Sequence, residues 1–204
     1  MKKVFLSEGR NDTDFLSIFL DENCRSLSYD RFDIDNAEGN SIIPKESEKT
    51  RRFREPRNQD DVLIKSEGGD ENLVTVLGSE LPNLVGNDLD LCVLIDLDGK
   101  DVSERITQFE EKLQPHTPGN KISVCHKDTL VSTTFIQAHV AKVLIDGKYI
   151  GQFDLLTFTE DLEEVADITG TENRDTIKEK IGDILERNQV SKPVKIAVQD
   201  RRSL

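Results

Sequence analysis

The feature that most constrains the fold is the apolar run at residues 91–95, which ends abruptly in the acidic sequence Asp-Leu-Asp-Gly. A short run without polar interruption is typical of a strand buried on both faces of a sheet. Comparable runs occupy residues 4–6, 62–64 and 122–125. Such strands favour a parallel sheet, whose neighbouring strands need long crossover connections.

Three of these runs are followed by residues with helical periodicity, and the predicted helices are the crossover connections. Apolar residues recur at helical spacing at Phe15, Leu16, Phe19 and Leu20, at Leu73, Val74 and Leu77, and over residues 102–113. Alternating strands and helices predict an α/β fold with a Rossmann-like, mainly parallel sheet flanked by helices. We expect the core at residues 1–130, interrupted by a polar insertion at about 30–61.

The remaining chain, residues 131–204, is expected to form a helical C-terminal extension packed on the same domain. Residues 133–145 predict either a helix that stops at Asp146-Gly147 or a hairpin through that dipeptide. Residues 160–168 and 172–188 predict helices, the second capped by Thr171, and residues 194–198 predict a late edge strand.

Composition narrows the classes of function. The net charge of −13 argues against a protein that coats nucleic acid through bulk positive charge. Cys24, Cys92 and Cys125 are odd in number and far apart, so we expect free thiols in a reducing compartment. The apolar run at the amino terminus reaches Glu8 at once, too early for a signal peptide or a spanning helix. We therefore expect a cytoplasmic protein with no membrane partner.

Acidic residues stand at the ends of two predicted strands. Glu8 follows the first strand, and Asp96 and Asp98 follow the run at 91–95. Carboxyl ends of parallel strands meet at one edge of a sheet, and residues two apart in an extended segment share a face. Crowded carboxylates repel one another unless a cation neutralises them, which predicts a site for Mg²⁺ or Mn²⁺.

These residues also resemble a known family. Glu8-Gly9-Arg10-Asn11-Asp12 resembles the first Toprim motif, and Asp96-Leu97-Asp98-Gly99 resembles its DxD motif. Gly68-Gly69, between a predicted strand and helix, resembles the linking stretch in Toprim domains of the OLD (overcoming lysogenization defect) nuclease group and of small standalone Toprim proteins. The resemblance covers roughly residues 2–130.

The resemblance implies Mg²⁺-dependent phosphodiester chemistry on nucleic acid. We expect a nuclease, with DNA rather than RNA as the expected substrate. By similarity, Glu8 is a metal ligand or general acid/base, Asp96 and Asp98 are metal ligands, and Asp12 serves a second metal. All four are the expected catalytic residues. The chain contains no GxxxxGK[ST] sequence, so an ATPase of the P-loop type is not expected.

Basic and histidine residues outside these motifs have two interpretations each. Arg51, Arg52 and Arg54, with Lys49 and Arg57, form a basic cluster in the polar insertion that either contacts phosphates or is a solvated loop balanced by nearby glutamates. The three histidines, His116, His126 and His139, have no metal-ligand spacing, and surface or structural roles are expected. His126 and Lys127 follow a predicted strand and could face the crevice.

Two other functions remain open. One is a non-catalytic or partner-dependent Toprim module that binds a protein partner or forms a homodimer. The other is a phosphatase of the haloacid-dehalogenase type, because Asp-x-Asp also supplies a nucleophile and a general acid. That family places its motif on the first strand, whereas Asp96 and Asp98 lie in the middle of this chain.

Overall fold

A computed structural model describes residues 2–33, 49–85, 89–116, 119 and 121–198. The strands are β1 (Lys3–Ser7), β2 (Tyr29–Asp33), β3 (Val62–Ser66), β4 (Asp90–Asp96), β5 (Ile122–Ser132), β6 (Ile136–Ile145) and β7 (Lys148–Phe158). The helices are α1 (Arg10–Asn23), α2 (Asp70–Val85), α3 (Val102–Leu113), α4 (Leu162–Val165), α5 (Arg174–Leu185) and α6 (Asn188–Val198), with a 3₁₀ turn at Gln114–His116. Residues 49–54 are also helical.

All seven strands form one mixed sheet in the order β2-β3-β1-β4-β7-β6-β5. Neighbours from β2 to β7 are parallel, whereas β7, β6 and β5 are antiparallel. Ser7 pairs with Ser66 of β3 and Leu94 of β4, and Asp96 pairs with Phe158 of β7. The carboxyl ends of five parallel strands therefore lie along one edge, and the predicted α/β class with a mainly parallel sheet is confirmed.

Both faces of the sheet are covered, because each strand alternates its apolar side chains between two cores. One core joins Phe5, Phe15 and Phe158 with the apolar faces of α1, α5 and α6. Phe15 and Phe158 meet edge to face with their ring centroids 5.2 Å apart. The second core joins the sheet with α2, α3 and Phe53. In the described part of the chain, no helix combines the length and apolar character that crossing a membrane requires.

The predicted polar insertion at about 30–61 was partly wrong, because β2 lies inside it. Its sequence, Tyr-Asp-Arg-Phe-Asp, is charged because β2 is an edge strand, half-buried throughout, where charged side chains are common. The middle of the predicted insertion, residues 34–48, lies outside the described residues.

The helix predicted at residues 133–145 was also wrong, and the alternative hairpin is the observed structure. β6 and β7 turn through Asp146 and Gly147, with φ angles of 50° and 76°. Two successive positive φ values suit the right-handed twist of a hairpin, and Asp-Gly tolerates them. β7 lies between β4 and β6, so residues 131–204 complete the sheet as well as adding α4 to α6.

Three smaller predictions in the C-terminal region need correction. The edge strand at 194–198 is part of α6, whose buried Val190, Val194, Ala197 and Val198 follow a helical repeat. The helix at 160–168 is reduced to the short α4. The cap of α5 is Asn173 rather than Thr171, and the Asn173 side chain accepts hydrogen bonds from the backbone N–H groups of Asp175 and Thr176.

Candidate acidic site

The candidate site begins where β1 and β4, parallel neighbours, reach the carboxyl edge of the sheet. Glu8 directly follows β1, and Asp96 is the last residue of β4. Gly9 then caps α1, and Asp12 in the first turn of α1 accepts a hydrogen bond at 2.9 Å from the backbone N–H of Gly9. The strand ends and the start of α1 therefore position Glu8, Asp12 and Asp96, which we call the acidic cluster.

Burial and mutual repulsion raise the pKa values of the three carboxyl groups of the acidic cluster. Burial, together with the negative charges of Asp12 and Glu8, raises the pKa of Asp96 to about 9. Burial together with nearby carboxylates raises the pKa of Asp12 to about 7 and that of Glu8 to about 7. Carboxyl groups that hold protons near neutral pH in this way are concentrated at functional sites, because structure alone does not benefit from them.

Further carboxylates from two other strand ends surround the cluster. Asp161 and Glu163 follow β7, and their charges contribute to the raised pKa of Asp96. Glu163 accepts a hydrogen bond at 2.6 Å from Asn11 of α1. Asp70, at the start of α2 after β3, raises the pKa of Glu8. The acidic character thus extends along the whole carboxyl edge from β3 to β7.

Arg105, one turn into α3, is the main cation in this region. Its guanidinium is buried, and Nη2 lies 3.2 Å from Glu8 Oε1, 3.1 Å from Asp70 Oδ1 and 3.9 Å from Asp98 Oδ2. Its Nε donates to the backbone carbonyl of Asp96 at 3.0 Å. Arg105 therefore lies between Glu8 and Asp98, and it lowers the pKa of Glu8 against the stronger effect of burial.

Asp98 reaches the site differently from what the sequence suggested. The extended geometry expected for Asp96-Leu97-Asp98 is wrong, since β4 ends at Asp96 and Asp98 has a φ of 51° in a turn closed by Lys100 N–H and the Leu97 carbonyl. Asp98 is half-exposed, with Lys100 Nζ at 3.9 Å as well as Arg105. Leu97 is buried, as expected.

The donor set suits a hard divalent cation in its chemistry. Carboxylate oxygens are the ligands that Mg²⁺ and Mn²⁺ favour, and a dication relieves the repulsion that raises the acidic cluster's pKa values. Across the residues that the structure describes, no three Asp, Glu, His or Cys side chains already stand in a metal-holding arrangement. Glu8, Asp12, Asp96 and Asp98 are the residues predicted to hold such an ion, and their side chains would have to rearrange to coordinate it together.

The basic cluster of the insertion lies at the other end of the sheet. Arg51, Arg52 and Arg54 are exposed on the helical stretch 49–54, while Phe53 between them is buried. Lys2, which precedes β1, donates to the Phe53 carbonyl and lies 4.5 Å from its ring centroid. Since β1 separates Lys2 from Glu8 by roughly 20 Å, this stretch is anchored away from the acidic cluster.

The histidines divide into a pair and a single residue. Nε2 of His126 lies 3.3 Å from Nδ1 of His139 across β5 and β6, and His126 faces a cavity beside Gly99. Lys127 does not share that cavity's lining and donates to Gln152 at 2.9 Å. His116 ends the 3₁₀ turn after α3. Cys24, Cys92 and Cys125 are not joined in disulfide bonds, as expected.

Sequence reasoning missed three groups at this edge: Asp70, Arg105 and Glu163. Asp70 could have been found by the rule that identified Glu8, because it directly follows the Gly68-Gly69 turn after β3. Glu163 was hidden by the mistaken helix at 133–145, which concealed the end of β7. Arg105 carries no sequence signal, since an arginine in the first turns of a helix is usually a surface residue.

Comparisons with known proteins add little to this geometry. No protein-family model matches the chain, and no curated protein is significantly similar to it. A solved structure of a de novo designed protein with a P-loop NTPase fold is 18% identical, with 57% of this chain and 75% of the designed chain covered. Its TM-score of 0.32 is too low to carry any argument.

Proposed function

We propose that this chain is a Mg²⁺-dependent enzyme that cleaves phosphodiester bonds in nucleic acid, with DNA as the first substrate to test. The observation that carries the proposal is the acidic cluster, three carboxyl groups whose pKa values of about 7, 7 and 9 reflect burial beside one another. Its position at the carboxyl edge of parallel strands, where α/β folds bind ligands, supports the same conclusion. The Toprim resemblance of the two motifs agrees with it.

A bound divalent cation would supply charge neutralisation and polarise a phosphodiester oxygen. The protein's own groups have separate roles. Glu8, with a pKa of about 7, can accept or release a proton at its carboxylate near neutral pH. The backbone N–H of Gly9 fixes the orientation of Asp12. The Asp96 carbonyl and the Glu8 carboxylate fix the buried Arg105, which offsets part of the negative charge at this edge.

The test is cleavage of plasmid, linear duplex and single-stranded DNA, and of RNA, with Mg²⁺, Mn²⁺ or chelator. We expect cleavage that depends on the metal and falls at least about 1,000-fold in Asp96→Asn, equivalent to about 4 kcal/mol of transition-state stabilisation. Asn keeps the size of Asp but removes the charge that a cation requires.

The matched control is Asp128→Asn, which makes the same change at an exposed position on β5. We expect Asp128→Asn to cleave at the wild-type rate. Equal rates for Asp96→Asn and wild type, or cleavage that persists in chelator, would overturn the proposal.

One observation favours a second candidate, a non-catalytic or partner-dependent binding module. Arg105 already lies against Glu8, Asp70 and Asp98, so part of the site's negative charge is neutralised by the protein itself. A module of this kind would bind Mn²⁺ or a partner chain without cleaving any of the substrates. Metal binding without cleavage across all substrates would therefore select this candidate.

A further inference from the structure

A cavity of about 600 Å³ adjoins the acidic site on the side of the antiparallel strands. It lies between the start of α3 and the β5–β6 hairpin. Leu97 and Gly99 form the wall nearest the site, one residue on either side of Asp98. The polar residues that line it are Lys100, Asp101, Ser103, His126, Thr129, Gln137, His139 and Thr159.

The character of this cavity is opposite to that of the acidic site. Of the described residues in its lining, Asp101 is the acidic one, and its carboxylate is occupied as the cap of α3, accepting from Glu104 N–H at 2.9 Å. Lys100, the histidine pair and the hydroxyls of Ser103 and Thr129 supply hydrogen-bonding groups, whereas the Thr159 hydroxyl donates to the Thr134 carbonyl at 2.7 Å. In a chain of net charge −13, a cavity lined by donors is an unusual local environment.

A β-bulge builds the polar centre of the cavity. In a regular strand, residues three apart such as His126 and Thr129 point to opposite faces. The pairing of β5 with β6 shifts between His126 and Asp128, which brings His126 and Thr129 to one face. Thr129 Oγ1 then lies 3.2 Å from His126 Nε2 and 3.1 Å from His139 Nδ1.

His139 is the buried member of this group. It is 2% exposed, and within the described part of the chain its Nε2 has no hydrogen-bond partner. Burial lowers the pKa of His139 to about 4, with the charge of His126 adding to the shift. His139 is therefore neutral at pH 7, and its contacts fix the orientation of His126 and Thr129 toward the cavity. A buried ring with an unused nitrogen is costly in a purely structural role.

We propose that this cavity binds a phosphate group of a nucleotide, through Lys100, His126 and the hydroxyls of Ser103 and Thr129. The proposal rests on the proposed function, and Lys100, whose Nζ lies 3.9 Å from Asp98 Oδ2, connects the cavity to the acidic site. A strand that presents one phosphate to the acidic cluster would present the next phosphate within reach of Lys100. Contacts of this kind hold the strand in register rather than read its sequence.

The histidines provide a direct probe, because the chain has three. Their ring C–H signals can be followed by NMR in chelator during titration with inorganic phosphate, thymidine 5′-monophosphate or the dinucleotide TpT. We expect a saturable shift of the His126 signal, with the His116 signal unchanged. Binding of the monophosphate alone would identify a terminal phosphate as the ligand, and binding of TpT as well would identify an internal one.

Two variants and a matched control test the assignment. Lys100→Met and His126→Gln, both at positions with some solvent access, should each weaken binding at least tenfold. Binding to Lys100→Met is followed by the His126 signal, and binding to His126→Gln is followed by the signal of His139, which also lines the cavity. Lys127→Met removes the same charge one residue from His126, outside the cavity lining, and should bind as wild type does. No shift of the His126 signal, or equal weakening in Lys127→Met, would overturn the proposal.

The titration separates this proposal from the proposed function. It needs neither metal nor cleavage, so inactivity of the enzyme does not affect its outcome. Conversely, cleavage could be lost in Asp96→Asn while Lys100→Met and His126→Gln bind phosphate as wild type does. That result would support the proposed function of the acidic site and overturn the proposal that the cavity binds phosphate.

Discussion

Asp12 and Asp14 lie two residues apart on α1, are both buried, and have opposite electrostatic surroundings. Asp14 is 1% exposed at its side chain and forms ion pairs with Arg31 of β2 and Arg174 of α5. Asp12 accepts a hydrogen bond from the Gly9 backbone, and its charged neighbours are Glu8 and Glu163. Asp14 is thus paired with two arginines of neighbouring elements, whereas Asp12 lies among other carboxylates.

The contrast separates an acid that links elements of the fold from an acid that we propose binds a cation. The pairing of Asp14 joins α1 to β2 and α5, so its charge contributes to the tertiary structure. The charge of Asp12 does not stabilise the tertiary structure in this way. Burial beside Glu8 and Glu163 makes that charge unfavourable and raises the pKa of Asp12 to about 7. Groups with strongly shifted pKa values are concentrated at functional sites, and this is why we propose that Asp12 binds a cation.

The largest expected effect in this comparison is that of Asp14→Asn. Removing the charge leaves Arg31 and Arg174 without their buried counter-ion, and we expect a loss of about 3 kcal/mol in the free energy of unfolding. Urea unfolding at pH 8 measures it. Glu22→Gln, exposed on the same helix, is the control and should stay within about 0.5 kcal/mol of wild type. Equal effects of the two variants would show that the ion pairs do not stabilise the fold.

The second prediction concerns pH. Glu8, Asp12 and Asp96 have folded-state pKa values of about 7, 7 and 9, above their ordinary values of about 4. Between those limits the folded protein holds protons that the unfolded chain has released, so stability falls as the pH rises. We expect wild type to be at least about 2 kcal/mol less stable at pH 8.5 than at pH 5.5 without divalent cations.

The matching control for pH is Asp96→Asn, which removes the group with the highest of these pKa values. Its urea midpoint should depend on pH less steeply than that of wild type. A wild-type stability that rises between pH 5.5 and 8.5, or a slope unchanged by Asp96→Asn, would contradict the raised pKa values.

The smallest expected effect is that of Asp12→Asn. The substitution is the same as in Asp14→Asn, but we expect it to increase the free energy of unfolding rather than decrease it. The asparagine Oδ1 can still accept from Gly9 N–H, while the repulsion from Glu8 and Glu163 disappears. We expect a gain of about 1 kcal/mol at pH 8 in chelator, measured by the same urea unfolding. A loss as large as that of Asp14→Asn would show that the two aspartates do not differ as described.

The sequence was sufficient to predict the parallel half of the fold. β1, β3 and β4 are short apolar runs with helices between them, and each is buried on both faces, so composition and periodicity coincide. β6 is different, because the ten residues of Ile136–Ile145 are mostly apolar without a strict alternation and are enough for a helix. Only its partners on both sides, β5 and β7, distinguish the strand from a helix, and these are tertiary contacts.

Some residues of the candidate site could also be predicted from the sequence, and others could not. Glu8 and Asp96 were predicted because a strand end is visible in sequence, and the structure places both at one edge. The placement of Asp98 could not be predicted, because a left-handed φ at an aspartate is a property of the turn. Arg105 was unpredictable for another reason, since its three carboxylate partners come from separate parts of the chain.

The most direct test of the central claim is Mn²⁺ binding, measured by the loss of the free-ion signal in electron paramagnetic resonance. We expect saturable binding of one or two Mn²⁺ ions per chain, competed by Mg²⁺ and weakened at least tenfold in the Asp12→Asn, Asp96→Asn double variant. Asp128→Asn should bind as wild type does. Equal Mn²⁺ binding by wild type and the double variant would contradict the claim that the acidic cluster holds a divalent cation.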